Sequence, residues 1–394
     1  MPSQCGFSLL HLNSILAELR RTKEALNMNF TRLHDWHVAH GAKMAPFAGF
    51  EMPINYPTGA VEEHLITRRS VGLFDIDHMA QFEASGPGAG EFVSHMVSAR
   101  ILDMKVWDAH YSLLLDENGL VLDDLYVYRL PDSWWLAVNA GNHESDWAWF
   151  NKHKPAGVKL VDKSDETYMI AVQGPRAIEL LDKLGSPKVS TFPRFTSGKI
   201  EVDGVPILFG RTGYTGEDGG ELYFPAKDAE KLWNYLLDEG SKLGIETKPI
   251  GLAARDSLRF EAGMPLHGHE ISPKINALEA LFKWACDFDK DFIGKEALEA
   301  IHEKGLTRKL VGIEVKGGVP REGYEVRSAD GQKIGECVCG MYCPTVKVYA
   351  ANAFVAKDFA KVGTPVQVMI RDKPREGVIV KRPLYLPAYR REEK

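Results

Sequence analysis

The sequence predicts an α+β protein: a mixed helix-and-strand front followed by a separate all-β barrel or sandwich. Two observations carry this. Up to about residue 300, amphipathic helices of 3.6-residue period stand among hairpin-like strands, with no regular strand–helix–strand alternation and no internal repeat. After about residue 307 only short alternating segments remain, separated by turns.

The elements justify this reading in order. Residues 1–33 read as a helical extension, with Phe7 to Leu19 as its amphipathic stretch. Val61 to Val71 reads as a helix, with Val61 and Leu65 among the polar Glu62, Glu63, Arg68 and Arg69. Ala89, Phe92, Val93, Met96 and Val97 fall on one helical face, behind the glycines 86, 88 and 90. Tyr111 to Leu115, Leu120 to Arg129 and Trp134 to Asn139 read as strands. Asn118-Gly119 between the first two is a strong hairpin signal, because both residues accept positive φ. Further helices are predicted at Ala177–Leu184, at Asp228–Leu237 with Gly240 past its end, and at Ala253–Ala262 before Gly263. The β module is read from Val311–Val315, Tyr324–Arg327, Val366–Ile370 and Val378–Val380, with turns at Asp330-Gly331 and Asp372 to Arg375.

Length and composition bound what such a chain does. At about 150 residues per domain, 394 residues make two or three domains. With 44% hydrophobic and 26% charged residues, wholesale disorder is excluded. The 48 Lys+Arg against 54 Asp+Glu leave a net charge of -6, which argues against a nucleic-acid partner and requires any anion site to be built locally. No apolar run approaches the roughly 18 residues of a membrane span, so no membrane partner is expected. Five cysteines are too few for a disulfide framework and fit a reducing compartment, the cytoplasm. The mitochondrial matrix is the alternative, but Glu18 and Glu24 argue against a transit peptide.

Three segments could carry chemistry. In a two-residue hairpin at Asn118-Gly119, Leu113 pairs with Asp124 and Tyr111 with Tyr126. Tyr111, Asp124 and Tyr126 then share a face, and Asp123 points to the other. Adjacent acids in mid-strand break a local rule, which marks either a functional site or an exposed edge. A one-residue bulge would exchange the two acids. The Gly-rich run from Gly210 to Glu221, with Tyr214, Glu217, Asp218 and Glu221, lets backbone approach a ligand closely. It matches neither a dinucleotide fingerprint nor a phosphate loop. A carboxylate there suits a ligand edge with two parallel N–H donors; a solvated turn is the other reading. Arg255 and Arg259, four apart on a helix, could bind a carboxylate or pair internally with Asp256 or Glu261, the latter being the default. No metal is expected: Cys337, Cys339 and Cys343 lack a second pair, and His34, His37 and His40 lack a nearby acid cluster.

Read together, these segments resemble the aminomethyltransferase (glycine cleavage T-protein) family. The resemblance runs from about His40 to Arg391. It is carried by Gly41-Ala-Lys-Met-Ala-Pro-Phe-Ala-Gly49, Val61-Glu-Glu-His64, Gly72-Leu-Phe-Asp-Ile-Asp-His-Met79, Asp123-Asp-Leu-Tyr-Val-Tyr128, Val138-Asn-Ala140 and Gln173-Gly-Pro175. It continues through Arg211-Thr-Gly-Tyr-Thr-Gly-Glu-Asp-Gly219, Gly251-Leu-Ala-Ala-Arg-Asp256, Asp291-Phe-Ile-Gly-Lys-Glu296 and Pro344-Thr345. The resemblance implies a cloverleaf: two interleaved α+β units over residues 34–300 and a β-barrel over 307–394, around a central tetrahydrofolate site. It implies transfer of a methylene from the aminomethyl-lipoyl arm of H-protein to tetrahydrofolate, with release of ammonia and no metal or flavin. It places the key acid on Asp124 and a folate-lining tyrosine on Tyr111. Pterin recognition falls on Glu221 and Tyr214, a folate-contacting arginine on Arg255, lining positions on Met79 and Asn139, and Arg391 near the site.

The chain departs from the family pattern at Asp77, where serine is usual before His-Met; this adds a potential charge near the folate pocket. The cysteines at 337, 339 and 343 are also unusual. Two alternatives follow. One is a folate-dependent demethylase of a small methylated substrate, disfavoured by the intact Asp-Asp pair. The other is a non-enzymatic folate-binding iron–sulfur assembly factor, disfavoured because Asp291 stands where that group carries cysteine.

Overall fold

The computed structural model, which describes residues 28–392, holds three large β-structures beside a two-stranded hairpin, Lys43–Phe47 with Phe50–Asn55, and two of the large ones meet at a central cavity. The first is a seven-stranded sheet. Its inner strands, Thr167–Gln173, Val71–Asp75 and Gly219–Pro225, are buried almost throughout. Its pairings are antiparallel except that Thr247–Pro249 runs parallel to Val71–Asp75. The second is a five-stranded sheet in the order Ala109–Leu115, Val121–Arg129, Ser133–Val138, Ala80–Ser85, Lys159–Asp162. All five strands fall in sequence between Val71–Asp75 and Thr167–Gln173, so the second sheet is an insertion within the first. That is the interleaving of an α+β cloverleaf. The third is a closed six-stranded barrel from Arg308 to Val380, sealed where Arg308–Val315 pairs with Lys373–Val380.

The helices cover the sheets with the predicted faces. Ala89–Met96 buries Phe92, Val93 and Met96 against the five-stranded sheet. Ala177–Leu184 buries Leu180 and Leu181 against the seven-stranded one. Removing such side chains from water supplies most of the stabilisation, at about 1.5–3 kcal/mol each.

Several expectations need correction. The helix expected from Asp228 runs from Ala229 to Lys242, with Gly240 inside it. A side chain at Gly240 would lie 2.3 Å from Thr247 Oγ1, so that glycine serves close packing rather than a helix stop. The helix expected to reach Val71 ends at Arg69, and Val71 opens a buried strand. The turn expected at Asp372 to Arg375 is tighter: Arg371 and Asp372 both take positive φ (49° and 62°), and Ile370 pairs with Lys373. Lys333–Cys343 and Val348–Ala356, the longest of the barrel strands, were not read in full. The helical extension lies outside the described residues over 1–27. Residues 28–33 are not helical: Asn29 bonds the backbone of Gly49 and Glu51, and Thr31 Oγ1 donates to Asp75 at 2.6 Å.

The Asp-Asp hairpin shows how the register is set. The loop is one residue longer than expected: Asp116 N donates to Leu120 O, and Gly119, at φ 74°, donates to Asp116 O. That shifts the pairing by one, so that Leu115 meets Val121. A bulge at Leu122 shifts it back, and Leu113 meets Asp124 and Tyr111 meets Tyr126, as read from the sequence.

Candidate active site

The cavity holds about 1180 Å³ and lies where the two sheets meet, closed by the helix Leu252–Glu261 and the loops 262–269 and 280–287. The volume suits a ligand somewhat larger than a typical drug-sized molecule. Asp124, Tyr111, Tyr126, Asn139, Met79, Tyr214, Glu221 and Arg255 all line it, although they span nearly 180 positions in sequence. Arg391 lies in the short helix Ala388–Glu392 and its side chain is outside the described part; among the described side chains of that helix, Arg390 lines the cavity.

Asp124 is held from two sides. Tyr111 Oη donates to its Oδ2 at 3.0 Å, and Asn139 Nδ2 donates to its Oδ1 at 2.8 Å. Its carboxyl is raised to about 7, first by burial and then by the neighbouring Asp123 charge, with the Tyr111 and Asn139 hydrogen bonds opposing. An acid so placed exchanges a proton near neutrality. Asp123 points to the opposite face, fully buried, and accepts from Asn139 N, Asn139 Nδ2 and Asn142 Nδ2 at 3.1, 2.8 and 2.7 Å. The exposed-edge reading of the pair is therefore excluded.

Glu221 Oε2 accepts from Thr212 Oγ1 at 2.6 Å and from Tyr128 Oη at 3.2 Å. Burial raises its carboxyl, and these bonds and the Arg255 charge oppose. Of the other acids in the Gly-rich segment, Glu217 pairs with Arg68 and Asp218 with Arg211 and Arg194, so they hold the segment's shape. Tyr214 Oη donates to Pro265 O, and its ring lies 4.8 Å from the Arg255 guanidinium.

The two arginines of the 252–261 helix divide. Arg259 is paired with Asp256 at 2.8 Å and Glu270 at 2.9 Å, the default reading. Arg255 lines the cavity, and its buried Nη1 has no protein partner among the described residues. An unpaired buried donor costs about 1–3 kcal/mol, more when charged, and a ligand acceptor would relieve it.

Sequence reasoning missed several lining residues. His78 is buried and its Nδ1 has no partner among the described residues; burial and Arg255 push it down to about 3, so it is neutral. Its signal was available in the His-Met pair. Trp284, 69% exposed, stacks on Tyr111 with centroids 5.5 Å apart. Beside it, Leu281 and Phe195 take positive φ (69° and 60°) at the cavity mouth. No local pattern marks these, because loops far apart in sequence supply them.

Asp77 is not the added charge the sequence suggested. Its Oδ1 accepts from Met169 N at 3.2 Å, and burial together with Asp75 raises its carboxyl to about 9, so it is neutral at pH 7. The three histidines go separate ways: His34 to Glu51, His37 to Asp75, and His40 onto the Trp36 ring. Cys337, Cys339 and Cys343 are buried free thiols, and Arg259 Nη2 donates to Cys339 Sγ. Among the described residues no three His, Cys, Asp or Glu side chains group as a metal site, and no helix is long and apolar enough to cross a membrane.

Comparison with known proteins agrees with this architecture. Residues 33–290 match the family model described as the GCVT N-terminal domain, and residues 308–385 match the glycine cleavage T-protein C-terminal barrel domain. The chain is 44% identical over 372 residues to an aminomethyltransferase of Symbiobacterium thermophilum, covering 92% of this chain and 98% of that one. It is 42% identical over 368 residues to the aminomethyltransferase of Herpetosiphon aurantiacus, covering 92% and 100%. The crystal structure of the glycine cleavage system aminomethyltransferase T from Bartonella henselae superposes with a TM-score of 0.85 at 32% identity, over 91% of this chain and 99% of that one. Matched along both its core and its barrel, the chain belongs to the glycine cleavage T-protein family of aminomethyltransferases.

Proposed function

We propose that the chain takes the aminomethyl group carried on the lipoyl arm of H-protein and passes its methylene to tetrahydrofolate. The products are 5,10-methylenetetrahydrofolate, ammonia and dihydrolipoyl H-protein. The observation that carries this reading is the Asp124 carboxyl, held by Tyr111 and Asn139 and turned into a cavity of about 1180 Å³. A folate nitrogen must attack the aminomethyl carbon, or an iminium derived from it. Asp124 in its ionised form takes up the proton that nitrogen sheds and stabilises positive charge as it develops. Glu221 accepts the paired N–H groups of the pterin edge, with Tyr214 beside it. Arg255 supplies the free cation for an anionic part of the folate, and Met79 and Asn139 line the pocket. Arg391 is assigned a place near the folate on the resemblance alone. Bacterial relatives support a cytoplasmic setting over the mitochondrial matrix.

The test is reconstitution with lipoylated H-protein, glycine decarboxylase and tetrahydrofolate. Methylenetetrahydrofolate is the expected product. In the same assay Asp124→Asn binds folate but loses most turnover, and in the wild type turnover falls as pH drops below about 7, where Asp124 takes up its proton. Turnover of a small methyl donor in place of H-protein would move the chain to the demethylases. Full activity in Asp124→Asn would remove the acid from the mechanism.

A further inference from the structure

Behind Asp124 stand two more carboxyl groups that the reaction does not touch. Asp123 faces away from the cavity on the same strand and is fully buried. Asp146, in the first turn of the helix His143–His153, is 2% exposed and hydrogen-bonds Asp123. Asp146 does not line the cavity, and its Oδ2 meets no N–H or O–H donor among the described residues. Two carboxylates in contact and out of water cannot both ionise cheaply, so one keeps its proton.

Hydrogen bonding decides which one. Asp123 accepts three N–H donors, from Asn139 N, Asn139 Nδ2 and Asn142 Nδ2, and a carboxylate has about four acceptor sites. A neutral Asp146 O–H supplies the fourth. The Asp146 Oδ2 has no such donor among the described residues, and burial with the Asp123 and Asp124 charges raises this carboxyl far above the usual range. The Asn139 amide joins the front of the column to the middle, since the same Nδ2 reaches Asp123 at 2.8 Å and Asp124 at 2.8 Å.

We propose that Asp146 is a positioning residue for Asp124: its O–H donates to Asp123, holds Asp123 anionic, and through that fixed charge sets the acidity of the carboxyl in the cavity. This rests on the reading of Asp124 as the reacting acid. Beside Asp124 stand Tyr111 from the neighbouring strand, Tyr126 from its own and Tyr214 from the Gly-rich segment; Glu221, Arg255 and Arg390 line the same cavity, and none of these three is among the main groups shifting the Asp124 carboxyl. Among charges, the Asp123 anion bears on Asp124 most, against the Tyr111 and Asn139 hydrogen bonds.

The experiment titrates Asp124 directly, by carbon NMR of labelled aspartate carboxyls in the full-length chain, with the signal assigned by its loss in Asp124→Asn. Asp146→Asn keeps an N–H donor to Asp123, and the Asp124 midpoint is expected to stay where it is. Asp146→Leu removes the donor that holds the Asp123 charge in place, and the Asp124 midpoint falls by about one unit or more, a tenfold change in proton affinity, with the acid limb of turnover moving with it. If Asp146→Leu does not fold, the infrared carbonyl band of a protonated acid decides. Asp77 also keeps its proton at about pH 8, where ordinary aspartates are ionised, so the band is read as a wild-type minus Asp146→Asn difference, and one protonated-acid component is expected to be missing from Asp146→Asn. An unmoved Asp124 midpoint in Asp146→Leu, or an infrared band unchanged in Asp146→Asn, overturns the proposal. Failure of the underlying reading shows separately, as retained turnover in Asp124→Asn, whatever the titration does.

Discussion

The acids of this protein differ in what surrounds them rather than in what they are. Asp218 sits between Arg194 and Arg211; their hydrogen bonds and charge outweigh burial and hold it below the usual carboxylate range. Among the described residues Asp77, Asp124 and Glu221 have no arginine in hydrogen-bond contact, and burial raises them. Asp77 gives a stability prediction with a definite sign. Its folded-state value, about 9, lies above that of the unfolded chain, so between about pH 4 and pH 9 the folded state alone holds the proton. Stability is therefore lost as pH rises through that window. Asp77→Asn keeps an oxygen for the Met169 amide and is expected to raise the melting temperature at pH 8 but little at pH 4, a gain on the order of 1–2 kcal/mol. If Glu221 accepts the pterin donors as proposed, its replacement by alanine is expected to weaken tetrahydrofolate binding by about 2–4 kcal/mol in a calorimetric titration. Of the site, the residue types were legible, and strand periodicity put Asp124 on the Tyr111 face for a two-residue turn without a bulge. The freedom of Arg255 was not: Arg259 four residues on looks identical in sequence, and only the positions of Asp256 and Glu270 decide which cation is spent.

At the scale of elements, the hairpin carrying Asp124 reached its predicted register by a route the sequence did not reveal. The three-residue loop and the bulge at Leu122 cancel, and either one alone would have turned Asp123 toward the cavity. Turn chemistry identifies Asn118-Gly119 as a bend but does not count the loop. The Gly-rich segment has its own backbone constraint. Gly219 takes φ 151°, and a side chain there would lie 2.1 Å from Val172 O on the adjacent strand. Gly219→Ala must displace the strand that carries Glu221. It is expected to cost roughly 3 kcal/mol by denaturant unfolding and to weaken folate binding as well.

For the whole molecule, the barrel is fastened to the core by buried charge. Glu270, fully buried, accepts from Arg259 at 2.9 Å in the core and from Asn352 at 2.6 Å in the barrel. Glu261 likewise meets His64 at 3.2 Å and Thr345 N at 2.8 Å. Removing one partner of a buried pair strands the other charge. Glu270→Ala is therefore expected to destabilise the chain by about 3–5 kcal/mol in chemical unfolding. The segment that follows the last barrel strand adds Arg382 and Pro383 to the cavity wall, so loosening the barrel is expected to reach the site.

By itself the sequence determined the α+β front, the β module behind it and the faces of the helices. These follow from periods of 3.6 and 2, which side chains write into local order. Only the tertiary structure decided that one sheet is inserted within another, that loops near residues 195 and 281–284 rim the cavity, that Arg255 is left unpaired, and that Asp146 stands behind the twin aspartates. Those facts depend on which distant segments meet, and the desolvation and pairing that set each charge exist only once they have met.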